Sequence, residues 1–142
     1  MSFQITLFSP EEATALAQKI RPELERLGKI KQELDRMETR VEVLQLTMTT
    51  GGTGLSPEAK ELAEMRSARA RLTARISAGA DAILRHGVLL KDIEQGLVDF
   101  YSLSGDRLVF LCWKRDEPEV SHWHSLESGF EGRKRLDTSE LE

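Results

Sequence analysis

Cysteine occurs once in this chain, at Cys112, so no intrachain disulfide can brace the fold. That usage suits a reducing compartment, and a cytoplasmic protein is expected. Long hydrophobic runs are missing too. The longest, such as Leu108 to Trp113 ("LVFLCW"), fall far short of the roughly 20 apolar residues that span a bilayer. The N-terminus lacks the basic stretch and apolar segment of an export signal, and no membrane partner is expected. No charge of one sign dominates: 20 basic residues stand against 24 acidic ones, a net of -4 that argues against general nucleic-acid binding. Phosphate-cradling GxxxxGK[ST], GxGxxG and CxxC patterns are absent, and "TGGTG" has no following lysine, which leaves it a turn. What remains is ordinary soluble composition over 142 residues, enough for one domain, 1–142.

The opening "SFQITLFS" alternates Phe3, Ile5 and Leu7 with polar residues, which predicts an N-terminal strand within 1–9. Ser9, Pro10, Glu11 and Glu12 then form a helix start, with an N-cap, a proline at the first position and a glutamate three residues after the cap. Apolar residues recur every seventh position at Ala13, Ile20, Leu27, Leu34, Val41 and Met48, with Leu16, Ile30, Met37 and Leu44 as companions. Only Glu23 interrupts the second register. The predicted rod is roughly 58 Å long, with a kink or short break expected at Pro22. "TTGGTG" ends it, Ser56-Pro57-Glu58 caps a second helix, and Leu62, Met65, Leu72, Ile76 and Ile83 mark that helix's seam until His86 and Gly87 close it. Residues 10–86 therefore read as an antiparallel, coiled-coil-like helical hairpin. Opposite charges support the direction: positions summing to about 104 pair Arg66 with Glu38, Arg69 with Asp35 and Arg71 with Glu33. A bare two-helix hairpin leaves one side of its seam wet, and the alanine-rich second helix admits a close neighbour, so a homodimer is expected.

After Gly87 the texture turns to strand. Leu97 to Leu103, a Ser104-Gly105-Asp106 turn and Arg107 to Trp113 form a hairpin by spacing. With residues 119–125 and the N-terminal strand, segment 87–136 predicts a small antiparallel β-sheet cap plus a wrapping segment, and 137–142 a disordered tail. The fold class is thus α+β, mainly α.

Chemistry concentrates in "CWKRDEPEVSHWHSLESGF". His122 and His124, two apart in an extended segment, share a side and suit a divalent metal such as zinc if Cys112, Glu119, Asp99 or Glu127 completes the set. The part played by Cys112 depends on parity. If pairing positions sum to 234, Cys112 faces His122 and Phe110 faces His124; an odd sum turns the thiol to the other face. The plainer alternative is a pair of partly buried rings bonded to carbonyls and carboxylates. Cys112 with a histidine and Asp99 or Asp116 could also be a nucleophile, though a cysteine inside "VFLCW" is more often a small core residue. Trp113 and Trp123 could line a pocket or fill the core. The arginines of "RSARARLTAR" do not form one stripe, which leaves RNA a minor alternative.

"SPEEATAL", "LKDIEQGLVDF" and "LCWKRDEPEVSHWHSLESGFEGRKRL" together resemble the bacterial family known as domain of unknown function 2203, over nearly the whole chain. The resemblance singles out Asp92, Gly96, Asp99, Cys112, Trp113, Glu117, Trp123, His124, Gly129, Phe130, Gly132 and Arg133. It implies no activity, and it moves weight from His122 toward His124, Arg133 and the acids. The resulting reading is a dimeric binding or scaffolding protein whose cap carries a ligand site of His124, Arg133, Trp123, Trp113, Asp99 and Glu117, taking an anionic small molecule or a protein partner. The alternative is a metal-dependent hydrolase built on His122, His124 and Cys112.

Overall fold

The computed structural model describes residues 4–49 and 56–136. It is an α+β chain in which two long helices form an antiparallel hairpin beside a five-stranded antiparallel sheet. The turn "TTGGTG", except Thr49, and the tail 137–142 lie outside the described residues.

Helix α1, Pro10–Thr49, has 40 residues and is about 60 Å long. It starts at a reciprocal capping box: Ser9 N–H donates to Glu12 Oε1 at 2.9 Å and Glu12 N–H to Ser9 Oγ at 3.1 Å. The break expected at Pro22 does not occur. Pro22 is exposed, so the carbonyl it deprives of a partner is open to water, and the helix continues. Helix α2, Pro57–Leu84, begins where Ser56 Oγ accepts the Ala59 N–H at 3.1 Å.

The hairpin closes along separate clusters. Val41 and Leu44 meet Leu62, and Ile30 and Leu34 meet Leu72. The helices approach closely at Gly79, where an added Cβ would lie 2.6 Å from Leu27 Cδ2 and 2.6 Å from Glu23 Oε1. The glutamate that interrupts the seam thus stands where α2 has no side chain. Of the charge pairs expected across the hairpin, Asp35 goes instead to Lys31 on its own helix at 2.7 Å and Arg71 to Ser67 at 2.9 Å. Among the described residues, Arg40 with Glu61, at 2.8 Å, is the ion pair that crosses. Its positions sum to about one turn less than expected, a slip that long exposed side chains permit and that the packed apolar seam does not share.

Strands β1 (Val88–Asp92), β2 (Leu97–Ser104), β3 (Arg107–Lys114), β4 (His122–Ser125) and β5 (Lys134–Arg135) form a meander in chain order. Ser104 pairs with Arg107 around Gly105, whose φ of 64° suits the tight turn. The predicted N-terminal strand makes no ladder over residues 4–9. β1 pairs with β2 only as far as Val88 and Phe100, so the edge beyond is left to Phe8. Phe8 N–H donates to the Tyr101 carbonyl at 2.8 Å, its carbonyl accepts from Ser102 Oγ at 2.6 Å, and its ring packs edge-on against Phe100.

Alternation divides the sheet into two faces. Val98, Phe100, Val109, Leu111, Trp113 and Trp123 join Ala13, Ala17, Ile20, Leu24, Leu27 and Ile83 in the main core. Loop 115–120 is tied to the same helix: Arg21 donates to the carbonyls of Arg115 and Glu117, and Arg115 donates to that of Leu24 at 3.1 Å. The other face carries the candidate site.

Candidate functional site

Cross-strand register places Leu89, Asp99, Cys112, His122 and Arg135 in one row across all five strands. Tyr101, Phe110 and His124 form the next row. The β3–β4 pairing sums to 234, so Cys112 stands opposite His122 and Phe110 opposite His124. Trp113 and Trp123 point the other way, into the helix-facing core, because neighbours along a strand alternate. Trp113 Nε1 donates to the Glu117 carbonyl at 3.0 Å and its ring lies under Arg21, with 5.1 Å to the centroid. Neither tryptophan joins the polar residues predicted to share a ligand site with it.

Those polar residues sort into two layers. In the inner layer Asp99 and His124 are each 3% exposed and Cys112 is fully buried. One donor atom from each of the three lies within 4.8 Å of the others. His124 Nε2 is 3.1 Å from Asp99 Oδ2, its Nδ1 is 2.7 Å from the Ser125 carbonyl, and its ring packs beside Phe110 at 5.3 Å. Asp99 Oδ1 is buried and accepts no hydrogen bond. Burial first, and the Asp99 carboxylate second, push the Cys112 thiol up to about 12 against an opposing pull from Arg133.

The outer layer is an ion pair. Arg133 donates through both terminal nitrogens to both Glu117 oxygens, at 3.0 and 2.7 Å, and both side chains are 16% exposed. Glu117 Oε1 also accepts the Lys114 N–H at 2.8 Å. Burial raises the Glu117 carboxyl, but Arg133 and the Lys114 amide outweigh it, and the net effect holds Glu117 below the usual glutamate range. Arg133 stacks on Phe130 at 4.5 Å, which fixes the turn Phe130–Gly132 beside the pair. His122 turns to this layer: its Nδ1 is 3.1 Å from Ser121 Oγ and 3.7 Å from Glu117 Oε2. The expected two-histidine arrangement therefore separates, His124 inward and His122 outward, although both leave the same face. Glu119 and Glu127 are exposed and outside the cluster. Arg21, which holds the 115–118 loop under Glu117, carried no sequence signal beyond a cation beside an apolar seam.

A model of the family described as "Uncharacterized conserved protein (DUF2203)" matches residues 6–136. The chain belongs to that family. Its match takes in both helices, all five strands and every residue of the two layers. No curated protein and no solved structure matches the chain.

Proposed function

We propose that this DUF2203 member is a homodimeric scaffolding protein, in which the distal hairpin is the coiled-coil-like contact between two copies and the cap is a separate binding unit. The observation that supports this is charge left unspent on an arm only two helices thick. Among the described residues, Arg66, Arg69 and Arg75 of α2 form no ion pair, and Glu33 and Glu42 of α1 form none. A twofold arrangement that sets α1 of one copy against α2 of the other brings acids to arginines twice over. Val43 and Leu46, 46% and 70% exposed near the tip, supply apolar area to the same contact. Among the described residues no helix is long and apolar enough to cross a membrane, and a single buried thiol suits the reducing cytoplasm.

Sedimentation equilibrium tests the reading. Wild-type protein is expected as a dimer that dissociates with rising salt, and Arg66→Glu with Arg69→Glu as a folded monomer. A wild type that stays monomeric at every concentration reached overturns it. So does salt-sensitive binding of RNA by monomeric protein, lost in the same double variant, because the arginines would then serve nucleic acid.

A further inference from the structure

Asp99, Cys112 and His124 stand on three adjacent strands, and His124 decides what can sit among them. The Ser125 carbonyl can only accept, so the 2.7 Å contact puts the ring proton on Nδ1. The neutral ring's Nε2 then carries a lone pair, and it faces a carboxylate oxygen 3.1 Å away. Two acceptors do not hold each other in a buried site. A cation lies between them, and the choice is a proton or a metal ion. A proton joins Nε2 to Oδ2 and stops there. It leaves the buried Asp99 Oδ1 with no partner better than the weak S–H donor of Cys112, although one donor atom from each of the three residues already lies within 4.8 Å of the others.

We propose that Asp99, Cys112 and His124 bind one divalent transition-metal ion, zinc by the chemistry of the donors. Carboxylate oxygen, thiolate sulfur and imidazole nitrogen are the zinc set. Metal binding releases the Cys112 proton to solvent, and the resulting thiolate and the Asp99 carboxylate neutralise the ion, while Arg133, which acts on the thiol, already has its counter-charge in Glu117. The Ser125 carbonyl acts as the outer acceptor that orients a metal-bound histidine. Each ligand rests on a strand held from both sides, so the set needs little rearrangement to close on an ion. Three protein donors leave one tetrahedral position for water or another small donor. Side chains 3% and 4% exposed at His124 and Asp99 give a bulky substrate no approach, so the ion is one the cap retains and not a hydrolytic centre. His122, bonded into the outer layer, is not a ligand. This inference does not depend on the hairpin contact.

The test uses untagged full-length chain purified under reducing conditions without chelator, with zinc and cobalt as probes. Elemental analysis should return close to one zinc per chain. Cobalt-loaded protein should show a thiolate-to-cobalt charge-transfer band in the near ultraviolet together with tetrahedral ligand-field bands. Cys112→Ser should reduce the charge-transfer band to background, and His122→Ala should change neither zinc content nor spectrum. A folded wild type that neither retains zinc nor takes up cobalt overturns the proposal. A cobalt spectrum without the thiolate band overturns it as well, as does loss of metal on His122→Ala in a protein that remains folded. Should Cys112→Ser fail to fold, the wild-type cobalt spectrum decides the matter, because the band reports sulfur ligation directly.

Discussion

Near its start α1 packs Ala13, Ala17, Ile20, Leu24 and Leu27 against a sheet that brings Trp113, Phe100, Leu111 and Trp123 to meet them. Further along the same helix, Val41 and Leu44 meet Leu62, with only Met48 and Met65 beside them. The heptad that produces both regions is continuous, so periodicity alone does not distinguish them. The difference lies in what the seam meets: two alanines admit the sheet at one end, and a single opposing helix is all there is at the other. One end is a helix pair packed on a sheet with a polar outer face, and the other is two helices packed on each other alone. Stability should therefore concentrate in the cap, and the arm should open first.

The largest expected effect tests that contrast directly. Trp113→Ala removes a fully buried ring, its bond to the Glu117 carbonyl and the surface on which Arg21 rests. It should cost about 3–5 kcal/mol in urea unfolding. Leu62→Ala, at the centre of the distal cluster, belongs to the class costing about 2–5 kcal/mol, and its thin surroundings place it at the low end. Hydrogen exchange separates the two: Trp113→Ala should lower protection throughout, and Leu62→Ala chiefly in residues 37–48 and 57–66. Equal loss across both regions in the two variants would mean that arm and cap unfold as one unit.

The junction offers a smaller, sharper test at Gly79. A helical glycine replaced by alanine ordinarily gains about 1 kcal/mol. Here the new methyl would meet Leu27 Cδ2 and Glu23 Oε1 at 2.6 Å each, and overpacking costs about 1–3 kcal/mol. Gly79→Ala should therefore destabilise the protein by about 1 kcal/mol or slightly more. A rise in the urea midpoint would show that the helices can move apart at no cost.

The parts of this architecture that were legible beforehand are those written in local chemistry. Ser9 with Glu12 and Ser56 before Pro57 mark helix starts because capping needs only residues three apart, and Ser104-Gly105-Asp106 marks a hairpin because the turn needs a positive φ. The alternating segment at Ile5 and Leu7 misled, since alternation shows that a strand is possible and not that a sheet edge is vacant. β1 had taken most of that edge. The candidate site is legible as a collection, since Asp99, Cys112, His124, Glu117 and Arg133 all stand out in the sequence. Its division into layers is not, because His122 and His124 leave the same face of one strand and only their side-chain directions send one to Glu117 and the other to Asp99. The cross-hairpin charges were the least legible, since exposed pairs are weak enough for Lys31 to capture Asp35 locally.

The smallest expected effect concerns the outer layer and compares the cap with itself across pH. Glu117 is held below its ordinary value of 4.5 in the folded chain, so its ionised form contributes stability that is fully present above that pH. As pH falls through the lowered folded value, Glu117 takes up a proton, Arg133 loses its partner and the contribution disappears. Glu117→Gln keeps the size of the side chain and removes the charge at every pH. At neutral pH it should lower stability by about 0.5 kcal/mol, because the amide oxygen still accepts a hydrogen bond and the charge is what is lost. The gap between variant and wild type in urea midpoint should narrow once pH drops below 4.5. A gap that stays constant with pH would assign the loss to packing against Phe130 and Lys114 and would leave the Arg133–Glu117 pair without an electrostatic role in holding the segment over the sheet.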